Sequence, residues 1–236
     1  MAIISAEGVG KSYRVGEIAV AALSDVTFRI EPASFAAFVG PSGSGKSTLL
    51  NLIGCLDHPS AGRLEVLGTD IATLGRRDGA VFRGRNIGFV FQDFNLMPVL
   101  TAYENVEYPL VMVQRWPETK RRARVMSLLE SVGVADQAHK YPDQLSGGQK
   151  QRVAVARALA PNTQLVLADE PTANLDHETA ARVIALMRRM RDDFGVTFLF
   201  STHDPKVMAA AETIFHLEDG RLIRREAAAE GGLVHV

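Results

Sequence analysis

Gly40-Pro41-Ser42-Gly43-Ser44-Gly45-Lys46-Ser47 fits the pattern G-x-x-x-x-G-K-[ST] of a phosphate-binding loop. The apolar run Phe35 to Val39 before it predicts a buried strand, and the run Thr48 to Ile53 after it predicts a helix. Glycines let the backbone turn so that several N–H groups face an anion, and the start of the helix adds a positive dipole end. Strand, loop and helix together predict a nucleotide-binding site, and a flexible Gly/Ser turn is the disfavoured alternative.

The polar residues of the loop have separate predicted roles. Lys46 is expected to neutralise β- and γ-phosphate oxygens, and the hydroxyl of Ser47 is expected to bind Mg²⁺. The other positions expected to contact the nucleotide are Gly40, Ser42, Gly43, Ser44, Gly45 and Thr48.

Further apolar runs predict an α/β fold. Buried strands are expected at Ile87 to Phe91, Leu165 to Ala168 and Val196 to Phe200. Apolar residues at helical spacing predict helices over Arg121 to Val132 and Glu178 to Arg191. Strands that alternate with helices in this way are typical of a mostly parallel sheet.

Three other regions differ from this pattern. Apolar and polar residues alternate from Val26 to Glu31, which predicts a half-exposed antiparallel strand in an N-terminal β-subdomain. Residues 93–144 have no convincing strand and predict a helical subdomain inserted in a single domain that spans 1–236. The Ala/Gly-rich tail, residues 227–236, is predicted to be flexible.

Composition narrows the class of protein. The 236 residues include 26 basic and 27 acidic side chains, for a formal charge of −1, which argues against a nucleic-acid-binding protein. The single cysteine, Cys55, rules out an intrachain disulfide and is expected to be a small buried residue. No apolar run has the ~18–20 residues that span a bilayer, and the first residues do not resemble a signal peptide. The expected location is therefore the cytoplasm, without direct membrane insertion.

Two adjacent acids follow a predicted buried strand. Asp169 is expected to hold Mg²⁺, and Glu170 is expected to act as general base or to orient the attacking water. Because Pro171 follows, the backbone of Glu170 is expected to be extended, which would direct its side chain away from Asp169. An ordinary acidic turn is the alternative for these residues alone.

A second glycine-rich segment precedes the helical run Lys150 to Ala160. Ser146 is a good helix N-cap, and Gly147 and Gly148 expose the backbone, so this helix start is also suited to phosphate. One subunit cannot easily offer two such sites to one γ-phosphate. Two copies facing each other are the economical arrangement, and a simple junction between helix caps is the alternative.

Leu145-Ser146-Gly147-Gly148-Gln149 resembles the signature of ABC transporter ATPases. The order of phosphate loop, Gln92, signature, Asp169-Glu170 and His203 is similar to that family along nearly the whole chain. The resemblance implies a P-loop NTPase core of RecA type and ATP hydrolysis with Mg²⁺. It also implies a head-to-tail homodimer and an integral-membrane permease partner, so that the ATPase works on the cytoplasmic face of the membrane.

The resemblance also assigns residues. Tyr13 would stack on adenine, Gln92 would contact Mg²⁺ or the lytic water, and His203 would contact the γ-phosphate. Asn174-Leu175-Asp176 resembles the D-loop, so that Asp176 would lie at the ATP-bearing interface, and Ser146, Gly147, Gly148 and Gln149 would bind the partner copy's ATP.

Within the family, the segments from Phe89 to Pro98 and from Pro171 to Asp176 resemble the lipoprotein-release and macrolide-export branch (LolD/MacB type). Ala33 and Ala173 depart from it, since glycine is common at both positions. A related cell-division ATPase, which regulates wall hydrolases through a membrane partner, is the alternative function.

Two surface predictions complete this interpretation. Four apolar residues near Gln92 are candidates both for a groove that receives the membrane partner and for subdomain core: Phe94, Leu96, Met97 and Leu100. The basic run Lys120-Arg121-Arg122 with Arg124 is expected to be a solvated helix face.

Overall fold

A computed structural model describes residues 1–16 and 18–227, which form two sheets and seven α-helices. The strands are β1 Ile4–Val15, β2 Ile18–Ile30, β3 Phe35–Val39, β4 Ala61–Val66, β5 Thr69–Asp70, β6 Ile87–Phe91, β7 Leu165–Asp169, β8 Thr197–Thr202, β9 Thr213–Glu218 and β10 Arg221–Ala227. The helices are α1 Lys46–Ile53, α2 Arg76–Asn86, α3 Ala102–Met112, α4 Glu118–Ser131, α5 Gly147–Leu159, α6 His177–Phe194 and α7 Pro205–Ala210.

The larger sheet has six strands in the order β10-β9-β3-β8-β7-β6. All its neighbouring pairs are parallel except β9 with β10, so the predicted mostly parallel sheet is confirmed. Strand β3 lies beside β8, and β8 lies beside β7, although the three are far apart in sequence. The carboxyl ends of β3, β6, β7 and β8 therefore meet at one edge, which is where open α/β sheets bind ligands.

Both faces of the six-stranded sheet are buried. In β3, Phe35, Ala37 and Val39 pack in a cluster with helices α3 to α6. The alternate residues Ala36 and Phe38 pack in a second cluster with α1 and the other sheet. This burial on two faces explains the continuous apolar runs of the predicted strands.

The smaller sheet is antiparallel, in the order β2-β1-β4-β5. Along the end of β2, Val26, Phe28 and Ile30 are buried while Thr27 and Arg29 are exposed, as the alternating pattern predicts. The sequence did not predict that the chain returns to this sheet after α1, where Val66 of β4 pairs with Ile4 of β1.

Residues 93–144, all of which are described, contain α3, α4 and two short 3₁₀ turns and no strand, in agreement with the predicted helical content. Val125, Leu128, Leu129 and Val132 are all buried, as their spacing predicts. The boundaries of this segment as a subdomain stay a prediction.

Some sequence-based boundaries were wrong by one or two residues. Strand β7 continues through Asp169, β8 is shifted towards Thr202, and α1 begins at Lys46 rather than at Thr48. Ala227 is the last residue of β10, and the rest of the predicted flexible tail lies outside the described residues. Cys55 is buried, as expected, and burial raises the pKa of its thiol to about 11.

The prediction of a solvated basic face on α4 was wrong for two of its four cations. Arg121 forms an ion pair with Glu107 at 2.8 Å and also donates to the Trp116 carbonyl. Arg124 donates to the Leu159 carbonyl at 2.8 Å, and burial lowers its pKa. The side chains of these arginines are long enough to extend beyond the helix. They can therefore donate to carbonyls at the ends of neighbouring elements, which would otherwise lack a partner.

Across the part of the chain that the structure describes, no helix combines the length and the apolar composition that a membrane span requires.

Candidate nucleotide-binding site

The phosphate loop connects β3 to α1 at the ligand-binding edge of the large sheet. Lys46 is the first residue of α1 and is largely buried, and its ammonium donates to the carbonyls of Gly40 at 2.8 Å and Pro41 at 2.9 Å. A pocket of about 160 Å³ lies against the loop and is lined by Ala22, Gly43, Gly45, Lys46, Ser47 and Thr48. The start of α1 and a lysine converge on this pocket, which therefore favours an anion.

Two glycines of the loop are required by its shape. A Cβ at Gly40 would lie 2.0 Å from the carbonyl oxygen of Leu217, so no larger residue fits there. Gly45 has φ 100°, and a Cβ there would lie 2.7 Å from the Ala22 carbonyl oxygen. The hydroxyl of Ser44 is buried and has no hydrogen-bond partner among the described residues. The loop is thus packed closely against the segments of the same chain that contain Ala22 and Leu217. The glycines allow its backbone N–H groups to face the pocket.

The predicted magnesium ligands Ser47 and Asp169 lie together. The Ser47 hydroxyl donates to a carboxylate oxygen of Asp169 at 3.4 Å, although 122 positions separate them in the chain. Strand β7 carries Asp169 to its carboxyl end, and α1 presents Ser47 from the phosphate loop. A hydroxyl beside one carboxylate is a donor set that Mg²⁺ accepts when phosphates and water complete it.

The prediction of an extended backbone at Glu170 was wrong. Its φ is +45°, in the left-handed region, despite the proline that follows. Two hydrogen bonds hold this backbone: the Glu170 N–H donates to the Ser201 carbonyl of β8 at 2.9 Å, and the Glu170 carbonyl accepts from the Ala173 N–H at 3.2 Å in a local turn. This turn points the carboxylate towards the end of β8 rather than simply away from Asp169.

Glu170 and His203 form a pair at the end of β8. One carboxylate oxygen of Glu170 lies 2.6 Å from Nδ1 of His203, and the other accepts from the Thr202 hydroxyl at 3.1 Å. The Glu170 side chain is 17% exposed and that of His203 is 76% exposed. A shielded carboxylate in contact with an accessible imidazole suits the handling of a water molecule.

Gln92 follows β6, and its side chain is exposed beside the strand that carries Asp169. Asn174 donates to the Gln92 carbonyl at 3.1 Å and to the Asp93 carboxylate at 2.9 Å. Two residues later, Asp176 caps α6 by accepting from the Thr179 N–H at 2.9 Å, and the hydrogen bond from Thr179 lowers the pKa of Asp176. The Gln92 segment and the segment 174–176 are therefore in direct contact.

Ser146 forms the predicted N-cap of α5. Its hydroxyl accepts from the Gln149 N–H at 3.3 Å, and the Gln149 side chain accepts from the Ser146 N–H at 2.8 Å. A Cβ at Gly148 would lie 2.5 Å from Thr179 of α6, so this helix start packs closely on α6. Within the described residues, none of the hydrogen bonds of residues 146–149 reaches the phosphate loop. The two segments predicted to bind phosphate are therefore not joined by a hydrogen bond within the described part of one chain.

Tyr13 lies on β1 and is 40% exposed. The hydroxyl donates to an Asp57 carboxylate oxygen at 3.0 Å. Burial, followed by this hydrogen bond and the charge of Asp57, raises the pKa of Tyr13, and an interaction with Thr48 of the phosphate-loop helix acts in the opposite direction. The predicted adenine-stacking residue therefore lies beside that helix.

Sequence reasoning missed several residues that hold the site together. Thr172 donates to Asp204 at 2.7 Å and joins the loop after β7 to the loop after β8. Gln151, which is fully buried, donates to the Pro171 carbonyl at 2.7 Å. Arg157 donates to the carbonyls of Phe94 and Asn95, and burial lowers its pKa to about 10. No local pattern marks these residues, because each contact joins segments that are distant in sequence.

Comparison with known proteins gives a consistent family. The family described as ABC transporter matches residues 23–173. The chain is 42% identical over its full length to a macrolide export ATP-binding/permease protein of Syntrophobacter fumaroxidans, of which it covers 33%. It is 45% identical to an uncharacterised ABC transporter ATP-binding protein of Thermotoga maritima, with 91% of each chain covered. The chain thus spans about a third of the length of the macrolide-export relatives it matches.

Two further similarities extend the comparison. A methionine import ATP-binding protein of Nocardia farcinica is 47% identical over 91% of this chain and 64% of its own length. Among solved structures, an ATP-binding cassette captured as a dimer in a post-hydrolysis state with ADP and phosphate is 41% identical. It superposes with a TM-score of 0.87 and covers 97% of this chain and 100% of its own.

Proposed function

The chain belongs to the ABC transporter family, and from that premise we propose that it binds and hydrolyses ATP to drive a membrane permease. The observation that supports this proposal most directly is the meeting of two pairs at one sheet edge. Ser47 of the phosphate loop contacts Asp169, and Glu170 contacts His203. The phosphate loop after β3, Glu170 after β7 and His203 after β8 thus lie at the ends of three strands that are neighbours in the order β3-β8-β7, and phosphoryl transfer to water requires a phosphate site close to a group that can activate water.

The mechanism assigns one task to each group. Lys46 leaves its two loop carbonyls and neutralises β- and γ-phosphate oxygens, because a lysine that donates to neutral carbonyls has a stronger partner in a phosphate. Glu170 accepts a proton from the attacking water or orients it, and His203 contacts the γ-phosphate while bonded to Glu170. Tyr13 stacks on the adenine ring, since it is an exposed aromatic residue close to Thr48 of the phosphate-loop helix.

Ser47, Asp169 and Gln92 would hold Mg²⁺, which when bound supplies charge neutralisation to the phosphates. The contact between the Ser47 hydroxyl and the Asp169 carboxylate supports the first two of these ligands. Gln92 follows β6, the neighbour of the strand that carries Asp169, and it is exposed at the same edge of the sheet.

Each active site is proposed to form between two copies of the chain, arranged head to tail. The capped helix start at Ser146 exposes backbone N–H groups but lies against α6 rather than against the phosphate loop of its own chain. A second copy can place this segment on the γ-phosphate, where Gly147, Gly148 and Gln149 would add donors. The dimeric state of a solved cassette with a TM-score of 0.87 supports this arrangement.

An apolar groove next to Gln92 is the proposed docking site for the permease. It has a volume of about 300 Å³ and is lined by residues of α2, β6, α3 and α5 and of the loops beside them, including Phe89, Met97, Tyr108 and Val113. Met97, a candidate from sequence, lines this groove, whereas Leu96 packs against the core.

Similarity to macrolide export proteins supports a permease of the lipoprotein-release or macrolide-export type. The proposed location is then the cytoplasmic face of the membrane.

Substitution of the phosphate-loop lysine tests the enzymatic part of the proposal. Lys46→Ala is expected to lower the rate of phosphate release from Mg·ATP by about 10²–10³-fold, since a charge that stabilises the transition state is lost. Lys120→Ala removes an equal charge that stacks on Trp116 outside the site, and is expected to keep the wild-type rate. The measurement is phosphate release by the purified chain at saturating ATP. Equal rates for Lys46→Ala and wild type would contradict the proposed function.

A further inference from the structure

The loop that follows α1, residues 54–60, reaches the strand that carries Tyr13. Asp57 of this loop accepts from the Tyr13 hydroxyl at 3.0 Å through one carboxylate oxygen. The other oxygen accepts from the Lys11 ammonium at 2.6 Å and from the His58 N–H at 2.7 Å. Lys11 is buried and also donates to the His58 carbonyl at 2.8 Å.

The cluster Lys11, Tyr13 and Asp57 joins a strand to a loop, and backbone hydrogen bonds hold both of these segments in place. Lys11 and Tyr13 are two positions apart on β1, so both side chains lie on the same face of the strand. The loop is fixed by backbone bonds, from Leu56 N–H to the Asn51 carbonyl at 2.9 Å and from Ser60 N–H to the Gly10 carbonyl at 2.8 Å. Asp57 is thus tied at one end to α1, the phosphate-loop helix, and at the other to β1.

The cluster also leaves only one face of the tyrosine ring available. The Lys11 ammonium lies 4.9 Å from the ring centroid, over one face. Because that cation is buried, a planar ligand can stack only on the opposite face. The pKa of Asp57 is lowered. Burial alone would raise this pKa, but hydrogen bonds from Lys11, the His58 N–H and Tyr13 lower it by more. The carboxylate therefore stays ionised as an acceptor at neutral pH.

We propose that Asp57, neutralised by Lys11, is a positioning residue that holds Tyr13 in the orientation in which it stacks on the nucleotide base. This inference rests on the proposed ATP-binding function and adds a polar anchor to it. A tyrosine free to rotate would lose conformational freedom when a base binds, whereas an anchored ring is ordered beforehand. The anchor acts on the base alone, since the phosphates are held by the loop at Lys46.

Tyr13→Phe is the decisive variant, because it keeps the stacking ring and removes only the hydroxyl that bonds to Asp57. The variant is expected to raise the KM for ATP by about three- to tenfold, the size of one hydrogen bond, with kcat unchanged. Tripolyphosphate carries the phosphates without a base, and its inhibition constant is expected to stay at the wild-type value. Tyr141→Phe changes an equally exposed tyrosine outside the cluster and is the matched control.

A double-mutant cycle assigns the effect to Asp57. Asp57→Asn is expected to raise the KM as Tyr13→Phe does, and the double variant is expected to lose no more than either single one. Thermal unfolding checks that each variant is folded, and Tyr13→Phe is the variant least able to disturb the fold because its hydroxyl is at the surface.

Three outcomes would overturn the inference. They are an unchanged KM in Tyr13→Phe, an equal loss for ATP and tripolyphosphate, and additive losses in the double variant. The proposed function fails separately, through Lys46→Ala. If Lys46→Ala abolishes hydrolysis while Tyr13→Phe and Tyr13→Ala bind ATP as wild type does, the ATPase stands and the positioning role is wrong.

Discussion

Glu170 illustrates how one residue is oriented by groups that are distant in sequence. Its left-handed backbone is held by the Ser201 carbonyl, and its carboxylate is held by Thr202 and His203. The loop that presents these partners is joined to the loop after β7 by the hydrogen bond from Thr172 to Asp204. Hydrogen bonds from Thr172 and from the Lys206 N–H lower the pKa of Asp204, although burial alone would raise it.

Thr172→Val tests this hydrogen bond through its pH dependence. Because the pKa of Asp204 is lowered in the folded state, its stabilising effect is present above the ordinary carboxyl pKa and is lost as pH falls through the folded value. We expect the variant to be less stable than wild type by about 1 kcal/mol near neutral pH, with a smaller difference near about pH 3.5.

The measurement is the free energy of unfolding in urea at the two pH values. Thr163→Val is the control, because Thr163 is also buried but donates to the neutral carbonyl of Ala158. Its loss of stability is expected not to depend on pH. A constant difference between Thr172→Val and wild type at both pH values would contradict the assignment.

At the scale of elements, the connection between β2 and β3 contains one of the two positions at which this chain has alanine and the related branch commonly has glycine. Ala33, where glycine is common, has φ +55° and is exposed. A non-glycine residue in this region is strained because its Cβ approaches the neighbouring carbonyl oxygen. Ala173, the other departure, has no positive φ. The two alanines therefore look alike in sequence but differ in backbone strain.

Ala33→Gly is expected to stabilise the fold, because relief of strain exceeds the extra conformational entropy of glycine in the unfolded chain. The expected gain is about 0.5–1 kcal/mol, or a rise in Tm of about 1–4 °C. Ala173→Gly should instead lower the Tm, since only the entropy effect remains. Differential scanning calorimetry of both variants measures the difference. A fall in Tm for Ala33→Gly would show that the turn is not strained.

At the scale of the whole molecule, the place of Ser146 in the chain bears on the proposed head-to-tail dimer. Helix α5 is fixed to the rest of the chain along its length: Gly148 packs on α6, Gln151 donates to Pro171, and Arg157 donates to the loop after Gln92. A helix held so firmly cannot swing its N-terminus onto its own phosphate loop. The proposed site, which includes Ser146, then needs a second copy.

Glu170→Gln tests this assembly, because loss of the water-activating group should leave ATP bound between two copies. We expect the variant to elute as a dimer with ATP in gel filtration. Adding Ser146→Asp should keep the helix cap, since Asp is as good an N-cap as Ser, but should place a negative charge against the partner copy's phosphates and prevent dimerisation.

Thr101→Asp in the same background is the matched control. It introduces the same charge at the N-cap of α3 and should still give a dimer. A dimer that persists with Ser146→Asp would contradict the head-to-tail arrangement, as would a Glu170→Gln variant that stays monomeric with ATP.

The sequence by itself determined the central strands, the helices that follow them and the residues of each motif. Phosphate loop, acidic strand end and capped helix start are each made by contiguous residues, so local spacing is enough to predict them. Ser47 and Asp169 were each predicted as Mg²⁺ ligands from their own motifs, and their contact comes from the structure.

Only the tertiary structure decided how these segments are oriented. The left-handed turn at Glu170, the anchor from Asp57 to Tyr13, the return of β4 to β1 and the carbonyls that Arg124 satisfies all join residues far apart in the chain. The physical reason is that a backbone angle or a hydrogen bond depends on the partner that packing brings near, and a one-dimensional pattern does not contain that partner.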